Sequence, residues 1–351
     1  MNLQAFTQAR GVSGNEGAAR EVILKAVQDH IDEHIVDALG NLICHKRPRR
    51  PAPEGGRAPR IMLAAHMDEI GLIVTGINSD GSLSFGKVGG IDDRVLVSKQ
   101  VLVGESAVPG VIGYPPIHLI PRSERDRAPD MTKAVIDIGA TDKAGAEKLA
   151  SPGDYVTFRG EWAELDPTGQ RTVMAKALDD RAGCAVLAEL LQGDYAVDLY
   201  AVFTAQEEVG TRGARVAAAR IAPDLAIALE GTICDDLPRL PEDDTSPVTR
   251  LGDGPAITFM DRSFIADRRL LNLLLRVAEA KGIPHQFKSA VAGGTDSGAI
   301  HVTGGGVPSI TVAVPTRYIH APISMLSLKD LDHTVQLVQA ALYALEGGLP
   351  S

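Results

Sequence analysis

The chain changes texture twice, and this limits its fold more than any other feature. Near the start, and again from about residue 166 to the end, short apolar runs alternate with helix-periodic segments. Between these stretches, from about residue 72 to 165, stand short β-like runs (LIVTGI, VLVGESAVPGVIG, KAVIDIGA, DYVTFRG) punctuated by glycine and proline. The first α/β stretch is too small to bury a core alone, so it must join the second and leave the β-rich part as an insertion. The expected fold is therefore α/β: a mixed, largely parallel sheet flanked by helices, interrupted by a small β-rich domain. The domains expected are 1–71 plus 166–351, and 72–165.

Local signals fill in the frame. Ser13 three residues before Glu16 forms a capping-box pattern. It predicts a helix that buries Val22, Ile23, Ala26, Val27 and Ile31. A hairpin should turn at Leu39-Gly40-Asn41, and IMLAA (61–65) reads as a buried strand. Residues 45–60 are rich in Arg, Pro and Gly and lack interleaved aromatics, so they read as a solvated loop. A helix is expected after Asp180, then a strand (VDLYAVFTAQ), a helix (RGARVAAARI) and a strand (LAIAL). A further helix (RRLLNLLLRVAEAKG), strands near 285–289 and 309–314, and a helix over about 327–345 complete the pattern.

Composition excludes several functions. The net charge of −10 argues against nucleic acid or an anionic membrane as partner. The N-terminus lacks a signal-peptide pattern, and no apolar run is long enough to span a bilayer. Cys44, Cys184 and Cys234 form no CxxC pair, so a reducing, cytoplasmic setting is expected. There is no GxSxG elbow and no Walker A loop, and GGTDSG (293–298) is not GxGxxG. Glu207 and Glu208 are adjacent and cannot flank a sugar bond from opposite sides as a glycosidase requires.

Metal chemistry remains. His66 follows IMLAA, Asp179 precedes a helix, Glu207 and Glu208 follow VDLYAVFTAQ, Glu230 follows LAIAL, and His320 follows SITVAVPTRYI. Each alone has a bland reading as a loop residue, a solvated turn or an N-cap. Together they stand at apparent strand ends, where open α/β sheets gather their sites. One imidazole and one carboxylate can serve each of two metals, with a further carboxylate bridging, and zinc or cobalt accepts such mixed donors. Asp179, Glu208, Glu230 and one hydroxide would balance two divalent ions. That leaves Glu207 free as a general base. Asp68, two residues after His66, can orient its imidazole.

The motifs HMDEIG (66–71), ALDDRAG (177–183), QEEVGTRGA (206–214), GGTDSGAIH (293–301) and RYIHAP (317–322) resemble those of the tetrahedral aminopeptidase family, which includes glutamyl and deblocking aminopeptidases. GVIG, PPIH and DIGA in the inserted part also match. The resemblance covers nearly the whole chain. It implies a dimetal exopeptidase fold in which Asp179 bridges both metals, His66 and Glu230 complete one, and Glu208 and His320 complete the other. Glu207 would be the base and Asp68 the support of His66. It also implies a strained Asp179–Asp180 peptide bond, a pocket lined by Gly293, Gly294 and Thr295, short peptide substrates, and a homo-oligomer, a dodecamer in the family's pattern. One departure is Glu230, where many members carry aspartate. Dimetal carboxypeptidases and deacylases share the ligand order, but they place their extra domain before the last ligand rather than between His66 and Asp179. Acidic residues at 235–244 would favour basic N-termini only if they reached the pocket; the plainer reading is a solvated loop.

Overall fold

The computed structural model describes residues 2–51, 57–237 and 246–350; part of the predicted basic loop (52–56) and most of the acidic segment (238–244) lie outside the described residues. The chain begins with α1 (Leu3–Gln8) and α2 (Gly17–Val27). The predicted hairpin follows as β1 (Glu33–Val36) and β2 (Leu42–Lys46), then the buried strand β3 (Arg60–His66). Six strands then close a barrel in the order β4 (Gly71–Ile77), β5 (Leu83–Val88), β8 (Val135–Asp137), β7 (Val108–Gly113), β6 (Gln100–Val103), β9 (Tyr155–Phe158), with α3 (Lys143–Ala146) before the last strand. The strands that enter and leave it, β4 and β9, are antiparallel neighbours. Leu72, Val101, Ile112, Ile136 and Val156 fill its own apolar core.

The chain then returns to the large sheet through β10 (Ala163–Asp166) and β11 (Thr172–Ala175). There follow α4 (Leu178–Leu190), β12 (Asp198–Thr204), α5 (Arg212–Ile221), β13 (Leu225–Cys234), β14 (Ala256–Thr258) and α6 (Arg268–Lys281). The last elements are β15 (Gln286–Phe287), α7 (Asp296–Ile300), β16 (Ser309–Arg317), β17 (Ser324–Ser327) and α8 (Leu328–Leu345). The main strand order is β1-β2-β12-β3-β13-β16-β17-β11-β10.

Helices cover both faces of this sheet, as the strand pattern requires. Along β3, Ile61, Leu63 and Ala65 pack with α1, α2, α4 and α8, whereas Met62 and Ala64 pack with α5 and α7. A strand buried on both faces reads as an unbroken apolar run, which is why IMLAA was legible.

The expectation of a largely parallel sheet needs correction. Among the described residues only β12, β3, β13 and β16, at the centre, run parallel, apart from the short β14–β15 pair at the side. These central strands are joined by long connections carrying helices, which parallel pairing demands. The flanking pairs β1–β2, β2–β12, β16–β17, β17–β11 and β11–β10 are antiparallel, so the sheet is mixed.

Two local expectations also change. Ser13 does not cap α2; Glu16 occupies the N-cap without a side-chain cap bond, and Ser13 Oγ donates instead to buried Asp68 at 2.6 Å. A buried carboxylate outcompetes a helix end for that hydroxyl because its bond is charge-assisted. Ile31 lies beyond α2, yet is half-buried against the same core.

The basic stretch around residue 50 is engaged by acidic neighbours: Arg47 by Glu33, Arg49 by Asp32, Arg50 by Glu346 and Arg57 by Asp224. No helix among the described residues is long and apolar enough to cross a membrane. Gly71, the last residue of the HMDEIG motif, sits where the barrel meets the N-terminal loop. A Cβ there would approach the Val156 carbonyl oxygen to 2.8 Å and Val12 more closely still, so only glycine fits.

Candidate active site

The ends of the central strands deliver side chains to one cavity of about 280 Å³, whose lining includes His66, Asp179, Glu207, Glu230 and His320. His66 closes β3 and is 1% exposed. Its Nδ1 lies 3.2 Å from the Asp68 carbonyl oxygen and 3.5 Å from Asp68 Oδ1, while Nε2 faces Asp179 Oδ1 at 3.2 Å and Glu230 Oε2 at 3.6 Å. With Nδ1 held by Asp68, Nε2 is the ring nitrogen turned toward the carboxylates, where a cation could replace its proton.

His320 repeats this arrangement. It follows β16 in a left-handed turn at φ 58° and donates from Nδ1 to the Gly90 carbonyl oxygen at 2.7 Å. Its Nε2 faces Asp179 Oδ2 at 3.6 Å and Glu208 Oε2 at 3.8 Å. Gly90 belongs to the loop after β5, so the barrel supplies the partner that orients this imidazole. Next to it, a Cβ on Gly89 would stand 3.4 Å from Glu208.

Asp179 stands between the two imidazoles. It opens α4 with extended backbone at φ −87° and ψ 110°, and its peptide bond to Asp180 is cis. Asp180 turns away and accepts from the His66 and Gly183 amides. Glu230 was expected at a strand end. It lies inside β13, which continues to Cys234 because residues 230–234 keep pairing with β16. Its Oε1 accepts the Asp296 amide at 3.2 Å.

Glu207 and Glu208 occupy the turn between β12 and α5, and Asp68 fixes that turn. Its two carboxylate oxygens accept the Glu207 amide at 3.0 Å and the Glu208 amide at 3.1 Å. Asp68 thus braces His66 and the Glu207–Glu208 turn together.

The donor atoms that could hold a metal ion form two clusters that share one residue: His66, Asp179 and Glu230, and Asp179, Glu208 and His320. Within each cluster the atoms lie within 4.8 Å of one another. Burial pushes Glu208 and Glu230 well above the ordinary carboxylate range, and neighbouring carboxylates add to this: Asp179 for Glu208, and Glu207 for Glu230. Burial alone would lower the His66 pKa, but hydrogen bonds to Asp179 and Asp68 hold it well above the ordinary value. Crowded, desolvated carboxylates with two oriented imidazole nitrogens form a donor set that fits divalent cations of the zinc or cobalt type. Glu207 lines the same cavity but belongs to neither cluster. Burial lifts its carboxyl well above the usual range, and Asp296 and Glu208 add to the effect.

The cavity is also lined by Gly293, Gly294 and Thr295, with Gly231, Ile233 and Lys288. Sequence reasoning missed two residues here. Asp296 is fully buried; its Oδ2 accepts from Thr204 Oγ at 2.6 Å and its Oδ1 has no partner. Its position inside GGTDSG was the available signal. Lys288 had none, because it is a lone lysine after a two-residue strand.

The sequence profile of the family described as M42 glutamyl aminopeptidase matches residues 40–337. A putative aminopeptidase of Acetivibrio thermocellus is 39% identical over 343 residues, covering 97% of each chain. A lysyl aminopeptidase of Pyrococcus furiosus is 31% identical, covering 98% of this chain and 96% of its own. Among solved structures, the TET1 peptidase of Pyrococcus horikoshii, described as assembling into a tetrahedron or a large octahedral shell, superposes with a TM-score of 0.83 at 35% identity, covering 97% of this chain and 98% of its own.

Proposed function

Because the chain belongs to the M42 glutamyl aminopeptidase family, we propose that this cavity removes single residues from the free amino end of short peptides, with Glu207 as general base beside two divalent cations. His66, Asp179 and Glu230 would hold one cation, and Asp179, Glu208 and His320 the other. The observation that carries this reading is the pair of clusters sharing Asp179, with Glu207 on the cavity wall outside both. When bound, zinc or cobalt ions there supply Lewis-acid polarisation and make water acidic enough to lose a proton near neutral pH. Glu207 takes that proton and later delivers it to the leaving amine. Its burial suits the carboxyl to hold a proton between the two transfers. Asp68 keeps the base in place through the Glu207 amide. The carboxypeptidase and deacylase reading is set aside by family membership and by the barrel's position between His66 and Asp179.

A panel of aminoacyl amides with free and acetylated amino ends, assayed with zinc and with cobalt, tests the reading. Free-ended substrates should be cleaved at least about a hundredfold faster, since the site must recognise the α-amino group. Equal rates on both series would exclude an aminopeptidase. The family's description and the Pyrococcus furiosus relative name amino-terminal residues of opposite charge, so membership leaves the preferred residue open.

We further propose that residues 72–165 form the assembly domain and that 1–71 with 166–351 form the catalytic one. Ile117 and Leu119, 58% and 77% exposed between β7 and β8, are side chains that a partner copy would cover. The expected product is a hollow particle of twelve subunits, as in a related peptidase described as a dodecamer. Such a shell would admit short peptides and exclude folded proteins. Light scattering at micromolar concentration should report that mass; a strict monomer would refute the assembly while leaving the chemistry intact. The three cysteines are free and buried, consistent with a cytoplasmic setting.

A further inference from the structure

Ser13 and Glu16 precede α2, yet neither side chain caps it, and both are buried, 5% and 4% exposed. The segment that carries them is fastened to the HMDEIG loop. The Glu69 amide donates to the Gly11 carbonyl oxygen at 2.9 Å, and the Ser13 amide to the Glu69 carbonyl oxygen at 3.3 Å. The Gly11 amide donates to Glu69 Oε1 at 3.0 Å. From this anchorage the two side chains reach the turn that carries Glu207 and Glu208. Glu16 Oε1 accepts the Gln206 amide at 3.2 Å and the Gly14 amide at 2.6 Å. Ser13 Oγ donates to Asp68 Oδ2, and Asp68 accepts the Glu207 and Glu208 amides. Three consecutive amides, 206 to 208, are thus each held by a buried carboxylate from outside the turn.

Such a turn needs holding. Gln206 has left-handed backbone at φ 58°, a region that residues other than glycine occupy at a cost and keep only where the surroundings enforce it. The holding is itself costly. Burial pushes the Glu16 carboxyl above its ordinary range, and repulsion from Asp68 adds to this. A fold that needed only to fill this space would be better served by a neutral side chain. Neither residue lines the cavity, so each acts through its neighbours. We propose that Glu16 and Ser13 are positioning residues for the reaction: Glu16 sets Glu207 through the Gln206 amide, and Ser13 sets the same turn, together with His66, through Asp68. This rests on the reading of Glu207 as general base.

The test is a double-mutant cycle on turnover. Glu16→Ala should lower kcat by about 10- to 100-fold, because a displacement of about 1 Å at a reacting group can cost a hundredfold. KM and metal content should stay close to those of the wild type. Glu16→Gln keeps an oxygen that can accept the Gln206 amide and should recover most of the loss. In the Glu207→Gln background Glu16→Ala should cost little more, since the group it positions is already gone. A residue that only supports the fold would lower both backgrounds alike. That result, or a Glu16→Ala enzyme with wild-type kcat, overturns the assignment. Ser13→Ala removes one hydroxyl and should weaken zinc binding about 10-fold, read by calorimetry on the metal-free protein. Unchanged affinity together with unchanged turnover overturns the role of Ser13, and this variant decides the proposal should Glu16→Ala fail to fold. Near-normal turnover in Glu207→Gln alone would sink the general-base reading and this inference with it. A slow Glu207→Gln beside an unaffected Glu16→Ala would sink this inference alone.

Discussion

Glu207→Gln should lower turnover by about a hundred- to ten-thousand-fold, the usual loss when a general base is removed. Glutamine keeps the shape but cannot accept a proton from water. KM should change little, because the cavity walls and ligand clusters remain. Metal content should stay that of the wild type, since Glu207 belongs to neither cluster. Its neighbour should behave differently. Glu208→Gln removes an anion from the cluster that includes His320, so one ion should bind more weakly and added metal should partly restore turnover. Metal analysis and turnover measured side by side separate the two glutamates. If Glu207→Gln loses an ion while Glu208→Gln keeps both, their roles are reversed; near-normal turnover in Glu207→Gln would mean that the mechanism is wrong.

The second large effect is expected at Asp179, the residue common to both clusters. Asp179→Ala should empty both sites together. The loss in affinity should exceed the roughly 10–100-fold that follows removal of a merely supporting partner. Activity should vanish, and excess zinc or cobalt should restore far less of it than in Glu208→Gln. Elemental analysis after desalting checks this without relying on turnover. A variant that keeps one full equivalent of metal per chain would show that the sites do not share this carboxylate. Exhaustive chelation of the wild type should abolish hydrolysis in parallel, and return of activity should track the metal added.

Much of this site could be read in the sequence because its residues follow apolar strands. Such strands announce themselves by composition alone when both faces are buried, as IMLAA before His66 and VDLYAVFT before Glu207 do. The candidates His66, Asp179, Glu208, Glu230 and His320, spread over nearly three-quarters of the chain, could be picked out in this way; how they divide into two clusters was implied by the family resemblance. What could not be read is what depends on distant pairing. β11 and β17 are four-residue strands that pair with each other from far apart in the chain, as Thr172 does with Ser327, and nothing in TVMA or SMLS signals that. They make the sheet's edge antiparallel where helix alternation suggested more parallel strands. Ser13 shows another limit. Its local pattern was that of a helix cap, but a carboxylate 55 positions away captured the hydroxyl. Lys288 marks the last, since a buried cation beside the cavity is recognisable only once its surroundings are known.

The barrel is a parenthesis in the chain, opened at Gly71 and closed at Phe158 by adjacent strands, and it looks detachable. The contact from His320 to Gly90 shows that it is not. A shortened chain joining Ile70 to Arg159 would keep His66, Asp179, Glu208, Glu230 and His320 and still lose the carbonyl that turns His320 Nε2 toward its carboxylates. An imidazole that is 44% exposed would then be free to rotate. Minimal versions of this enzyme cannot be made by excision alone. For the same reason, any contact that tilts the barrel reaches the candidate ligand His320 through its hydrogen bond to Gly90, giving the outside of the molecule a short mechanical route to the proposed chemistry.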